Sequence, residues 1–400
     1  MRKKYTTAII CLCLITAASC SAQKQLTADE SFINLINKNF ADAAAQYKVM
    51  MHALPPQQFP KTFEHDSLQT SGPDWWCSGF YAGSLLYIYE QTKDTVLYNE
   101  ALRMLALLSK EQYNTTTHDL GFMMYCSFGN AFRLNSNNQW KQILLNSAKS
   151  LASRFNPTVG CIRSWNAKPS DFLVIIDNMM NLELLFWATH ETGDSSFYNI
   201  AVTHANTTMM HHFRNDYSSY HIVNYNPQTG AVQQRKTAQG ASDSSAWARG
   251  QSWGLYGYTV MYRETKNKKY LDQANHIADF ILNNPNLPAD KIPYWDYNAA
   301  DIPNALCDAS AAAIMASAFI ELSKYANKEN AKKYMSVAKT ILLNLSSAQY
   351  KADIGTNGGF ILKHSVGNMP QHSEIDVPLT YADYYFLEAM KRYKDAIDKK

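Results

Sequence analysis

What the chain lacks narrows its class before anything it contains. Beyond residue 22 only four cysteines remain, Cys77, Cys126, Cys161 and Cys307, and their scattered spacing matches neither a zinc site nor a disulfide-stapled small domain. Four thiols in an exported chain leave room for one disulfide, with no pairing preferred. Charge of one sign is also missing: 37 Lys and Arg stand against 34 Asp and Glu. Arg2, Lys3 and Lys4 supply that small excess, so the rest of the chain is close to neutral and offers no basic face to nucleic acid or anionic membrane. There is no phosphate loop, dinucleotide fingerprint or nucleophile elbow. His211, His212 and His221 lack a two-histidine, one-acid helical spacing, so neither metal nor cofactor is expected, and nothing implies a protein partner. Strand-like alternation is confined to short pieces such as "YHIVNYNP".

No apolar run is long enough to cross a bilayer. The N-terminal "MRKKYTTAIICLCLITAASCSAQ" instead has a basic start, a short apolar stretch and small residues at its end, the order of a secretory signal. Residues 1–22 are therefore read as a signal peptide and 23–400 as one domain. Cleavage after Ala22 would release a soluble protein, and cleavage before Cys20 would leave a lipid-anchored one; either way an exported, periplasmic protein is expected.

What is present is apolar and helical. With 46% hydrophobic and 12% aromatic residues there is material for a large core. Segments such as "YIYEQTKDTVLYNEALRMLALLSK", "FWATHETGDSSFYNIAVTHANTTMM" and "VMYRETKNKKYLDQANHIADFILNN" repeat one plan: a helix end, a polar turn, an aromatic residue and a new amphipathic helix. Five such hairpins are visible, and the first helix after residue 22 can pair with the last to make a sixth. Both terminal helices are apolar rather than polar caps, so the array is expected to close into an all-α, six-hairpin (α/α)6 toroid.

In each hairpin the more apolar helix opens on an acid: Asp74, Asp119, Asp177, Asp243 and Asp308. In a ring all inner helices point one way, so these acids and the positive ends of the helix dipoles should gather at one end, suited to an anionic ligand. Asp74, Asp243 and Asp308 are read first as helix caps. Asp119 and Asp177 keep a second reading, because His118 precedes one and Asn178 and Asn181 follow the other. A cap carboxylate titrates low, whereas a general acid must hold its proton near neutral pH; a shared pocket with aromatic walls would resolve that conflict. In "QGASDSSAWARGQSWGLYGY" a helix from Ser244 would put Arg249, Trp253, Tyr256 and Val260 on one face, while Gly250, Gly254 and Gly257 line another, where a neighbouring backbone should pack close. Arg249 beside Trp253 reads either as an anion contact next to a ring-stacking surface, suited to a uronic acid, or as a buried ion pair with a packed indole.

Taken together, "WCSGFYAG", "HDLGFMM", "IIDNMMNLELLFWA", "QGASDSSAWARGQSWGLYGY", "DASAAAIMASAFIEL" and "YADYYFLEA" resemble the unsaturated glucuronyl hydrolases of glycoside hydrolase family 88. The resemblance runs through essentially the whole chain beyond the signal. It implies an (α/α)6 barrel acting on an oligosaccharide that carries a 4,5-unsaturated uronic acid at its non-reducing end, with products of glycosaminoglycan lyases as first substrates. It further implies Asp177 as general acid and base, Asp119 as its neighbour, and Trp76, His118, Trp165, His221, Gln239, Arg249 and Trp253 around the sugar. Cys77 replaces an expected small hydroxyl residue, and "ILKHSVGNMPQHSEIDVPLT" departs from the pattern, which bears on the leaving sugar. Two other functions fit the same barrel: hydrolysis of unsaturated rhamnogalacturonan fragments, and non-catalytic glycan binding.

Overall fold

The computed structural model describes residues 28–397; the signal segment lies outside the described residues. Twelve α-helices form six hairpins. Chain order runs α1 (Ala28–Ala53), α2 (Ser78–Thr92), α3 (Thr95–Leu108), α4 (Asn130–Leu134), α5 (Asn138–Ala152) and α6 (Leu182–Thr192). It continues with α7 (Ser195–His211), α8 (Ala248–Thr265), α9 (Lys268–Asn283), α10 (Ala309–Leu322), α11 (Lys328–Leu345) and α12 (Thr380–Ile397). A π-helical stretch, Gly121–Gly129, leads directly into α4 and makes one inner element with it.

The inner ring is α2, the π-helical stretch with α4, α6, α8, α10 and α12; α12 packs against both α10 and α2, which closes it. Helix α1 lies outside, against α2 and α12, as the sixth outer helix. Burial explains the sorting. Every residue of α10 is buried, whereas α9 buries one face only, through Tyr270, Gln273, Ala274, Ile277, Ala278 and Ile281. One continuous core therefore fills the space between and inside the two rings.

The polar turns cap the outer helices rather than the inner ones. Asp94, Asn137, Asp194, Asn267 and Asn327 each accept a first-turn N–H of the helix that follows. Among the acids at inner-helix starts, only Asp308 caps, accepting from Ser310 N–H at 3.0 Å. The capping expectation fails for Asp74, which is exposed three residues before the Cys77 N-cap, and for Asp243, whose Oδ1 accepts from Thr237 N–H at 2.8 Å. Helix α8 starts at Ala248, not Ser244, because Ala246 and Trp247 are spent on strand-like pairing with residues 295–298. Its glycine stripe is tight at both ends, where a Cβ on Gly257 would lie 2.5 Å from Met179 Cβ and one on Gly250 would lie 2.8 Å from the Trp247 ring, but one on Gly254 between them would find ordinary room, 3.5 Å from Phe213.

Small sheets, almost unsignalled in the sequence, sit on the connections. Strands β1 (Phe59–Glu64) and β2 (Ser67–Ser71) form a hairpin before α2, and the short β3 (Phe155–Asn156) and β4 (Cys161–Ile162) form another. A three-stranded antiparallel sheet joins β5 (Phe172–Ile175), β6 (Ile222–Tyr225) and β7 (Val232–Lys236). Strands β8 (Ser365–Asn368) and β9 (Ser373–Val377) form the hairpin within the C-terminal loop. All four described cysteines are free thiols, so no disulfide forms among them.

Candidate active site

Antiparallel pairing builds the centre of the site. Ile175 on β5 pairs with Ile222 on β6, which sets Asp177, two residues beyond one strand, beside His221, one residue before the other. Their Oδ1 and Nε2 atoms are 3.9 Å apart. Residues 164–165 tie in the second carboxylate: His118 N–H donates to Ser164 O at 3.2 Å, Thr117 bridges Trp165, and Ile175 N–H donates to Ser164 Oγ at 3.0 Å. Asn178 and Asn181 are stitches in this frame. Asn178 donates to Ile162 O at 2.9 Å, and Asn181 Oδ1 accepts from Phe122 N–H at 3.1 Å.

Asp177 is not a cap. Ile175 holds the N-cap position of the 3-10 turn Ile176–Asn181, and Asp177 Oδ1 is buried without a hydrogen-bond partner. Burial raises its carboxyl to about 7; Arg249 opposes that rise, the Asp119 charge adds to it, and the Trp253 N–H works against it. Desolvation thus outweighs the second carboxylate as the cause. Asp119 sits 3.2 Å from His118 Nε2 and accepts from Thr117 Oγ1 at 2.5 Å. Both carboxyls are 8% exposed.

The two histidines are neutral for the same reason, burial. It lowers His118, with the Asp119 charge acting the other way, and pushes His221 down to about 3, with Arg249 and His212 adding to the effect. His221 Nδ1 accepts two backbone N–H groups, from Ala238 at 3.1 Å and Gln239 at 3.3 Å. Its proton therefore resides on Nε2, which faces Asp177 with no other partner. A neutral imidazole beside a carboxyl that keeps its proton to about 7 is a donor poised at an acid, not an ion pair.

Trp76 and Trp165 are half-buried at this end. Trp76 packs against Tyr381 at 4.9 Å, Phe122 at 5.5 Å and Phe80 at 5.8 Å, and Trp165 lies edge-on to His118 at 6.4 Å. Gln239 is held by Arg249 through its Oε1 at 3.0 Å.

Two expectations change. The Trp253 ring is 0% exposed and wedged between Phe122 and Tyr385, so it cannot stack on a sugar; only its unpartnered N–H faces the site. Arg249 is 2% exposed, paired with Asp308 at 3.0 Å, and donates to the carbonyls of Val366 and Gly367. It is the buried ion pair of the alternative reading, and it fastens the C-terminal hairpin β8–β9 to the barrel.

Other neighbours, not expected from the sequence, complete the site. Trp247 lies 4.6 Å from His221 and under the Arg249 guanidinium at 4.5 Å, although it stands inside a motif already singled out. Lys61 sits 5.1 Å above the exposed Trp75 ring and 3.2 Å from Glu374, a contact between sequence-distant segments that no local pattern signals. Cys77 is buried, and its thiol is pushed well up by burial, with the charges of Glu374, Lys61, Asp119 and Arg249 all reaching it.

Trp76, His118, Asp119 and Arg249 stand next to inner-element starts, while Trp165, Asp177, His221 and Gln239 come from the strands and connections beside them, so a closed (α/α)6 ring carries two buried carboxyls, Asp119 and Asp177, the second held protonated to about 7 by burial, with neutral histidines around them. That combination defines a carbohydrate-active hydrolase built on an α-toroid. No protein-family model matches the chain. It is 49% identical to the unsaturated glucuronyl hydrolase of Formosa agariphila over 81% of each chain. With the unsaturated chondroitin disaccharide hydrolase of Streptococcus pneumoniae it shares 34% identity over 80% of this chain and 82% of the other. A crystal structure of an unsaturated glucuronyl hydrolase specific for heparin superposes with a TM-score of 0.89 at 47% identity, covering 92% of this chain and 98% of that one. The chain belongs to the unsaturated glucuronyl hydrolases, glycoside hydrolase family 88.

Proposed function

We propose that the protein hydrates the 4,5-unsaturated uronic acid at the non-reducing end of oligosaccharides left by glycosaminoglycan lyases. The observation that carries this reading is Asp177: a buried carboxyl with a free oxygen, protonated up to about 7, faced by an N–H of neutral His221. Ordinary glycosidases need two carboxyls on opposite sides of the anomeric carbon. Hydration of a vinyl ether needs one. Protonated Asp177 delivers its proton to C4, and the cation formed at C5 is stabilised by the ring oxygen. Asp177, now a carboxylate, takes a proton from the water that adds to C5. The C5 hemiketal opens to a ketone, the exposed hemiacetal at C1 collapses to an aldehyde, and the neighbouring sugar leaves with its hydroxyl. Asp119 positions the sugar and helps to keep Asp177 protonated. The names of the relatives, which include chondroitin and heparin, support glycosaminoglycan products as the substrate class. The basic and then apolar order of residues 1–22 supports export.

The test is loss of the ultraviolet absorbance of unsaturated disaccharides, without added metal or nucleotide, together with uptake of one deuterium at C4 in heavy water. Cleavage that keeps the chromophore would exclude hydration. Turnover of unsaturated rhamnogalacturonan products alone would move the substrate class, and binding without turnover would leave a glycan-binding protein.

A further inference from the structure

The segment between β7 and α8, residues 237–245, belongs to no helix or strand, yet it supplies both hydrogen bonds that decide where the His221 proton resides. Two carboxylates hold this segment in place. Asp243 Oδ1 accepts from Thr237 N–H at its start. Asp296 holds its far end: Oδ2 accepts from Ala241 N–H at 2.8 Å and from Ser245 Oγ at 2.6 Å, while Oδ1 accepts from Asn298 N–H at 2.8 Å.

Asp296 is completely buried, a costly place for a carboxylate unless donors surround it, and the three donors here do so. Its own backbone is anchored to the start of α8. Trp247 bridges Asp296, Ala248 N–H donates to Trp295 O at 3.1 Å, and Tyr297 N–H donates to Ala246 O at 3.0 Å. The loop is also pressed onto the carboxylate: a Cβ on Gly240 would lie 3.0 Å from Asp296 Oδ2 and 2.8 Å from Thr237 Oγ1.

We propose that Asp296 is a positioning residue for the hydration reaction, holding residues 237–245 from outside the sugar site so that the Ala238 and Gln239 N–H groups keep His221 in the Nε2–H tautomer that faces Asp177. The proposal rests on His221 serving Asp177 in the function above. The titratable and charged groups facing His221 are Asp177 from the turn after β5, Arg249 from α8 and His212 from the end of α7. None of them selects a tautomer, since none bonds to Nδ1. If the loop shifts, Nδ1 regains a free lone pair, and His221 either turns its proton away from Asp177 or gains a second one at mildly acidic pH.

The experiment is Asp296→Asn in the full chain, read by nitrogen NMR of labelled histidine with the His221 signal assigned by its loss in His221→Gln. An amide placed there leaves one of the N–H donors facing an NH2 group whichever way it is turned. The wild type should show a neutral Nε2–H imidazole that does not titrate between roughly pH 5 and 8, because burial holds His221 down to about 3. The variant should show Nδ1–H tautomer or a new titration in that range, with kcat lower by roughly 10- to 100-fold and KM nearly unchanged. Ser245→Ala, which removes one donor and keeps the charge, should move the same signals less. A folded Asp296→Asn with an unaltered His221 tautomer would overturn the positioning role whatever its rate. If that variant does not fold, an unaltered tautomer in Ser245→Ala overturns it instead. A wild-type protein inactive on every unsaturated disaccharide, whose His221 signal nevertheless responds to both variants, would refute the proposed reaction and support the Asp296 lock.

Discussion

Replacement of Asp177 by Asn separates chemistry from architecture, because the structure gives this carboxyl almost no architectural work. It caps no helix, and its Oδ1 has no partner. Asn is nearly isosteric and cannot give a proton to carbon. Loss of a general acid costs roughly 10²- to 10⁴-fold in rate, and here the same group is also the base, so activity should fall at least that far. Stability should move the other way at neutral pH. The folded carboxyl titrates at about 7 against an ordinary value of 3.8. As pH rises through that interval the unfolded chain gives up the proton first, so stability present below about 4 is lost progressively and is fully gone above about 7. About 3 in pH, at about 1.4 kcal/mol each, is an upper bound of about 4 kcal/mol. Asp177→Asn escapes this loss, so at pH 8 it should unfold at higher denaturant than the wild type, and the gap should close toward pH 4. The wild-type rate should fall as pH rises through about 7, where the acid form disappears. Urea melts across pH and the absorbance assay check both limbs. An active Asp177→Asn, or one less stable than the wild type at pH 8, would refute the assignment of a buried, protonated, catalytic carboxyl.

Arg249→Ala leaves Asp308 buried without its cation and frees two carbonyls of the β8–β9 hairpin, so it should cost about 3–5 kcal/mol in denaturant melts and lower activity with it; a stable variant with only a raised KM would restore the substrate-anion reading. Asn267→Ala removes a cap on an outer helix, at the opposite end of α8 from Arg249, and should cost about 1 kcal/mol while kcat and KM stay at wild-type values.

The sequence by itself determined the ring. Its 3.6-residue periodicity, its polar turns and the apolar faces of its two terminal helices, which need cover that only each other's end of the array can give, specify six hairpins that close. It also placed the site, because Asp119, Asp177, Arg249 and Asp308 stand at the starts of inner helices and all such starts meet at one end. The particular duties of these side chains were decided elsewhere. The polar groups that cap are Asp94, Asn137, Asp194, Asn267 and Asn327 on the outer ring and Asp308 on the inner one, while Asp177 Oδ1 is left without a hydrogen-bond partner. That assignment depends on which way each connecting segment enters its helix, which is not a local property. Trp253 is sealed between Phe122 and Tyr385, and Arg249 is claimed by Asp308, through neighbours more than 50 residues away in the chain. The raised pKa of Asp177 likewise belongs to no segment: it arises from burial among elements from across the chain, is opposed by Arg249 on α8 and is reinforced by the charge of Asp119 just before the π-helical stretch. A neutral His221 facing that acid exists only because β5 pairs with β6 and because a loop tied to buried Asp296 turns two N–H groups onto one ring nitrogen. Periodicity determines what must be buried, whereas the charge a buried group carries is set by whatever the tertiary fold puts next to it.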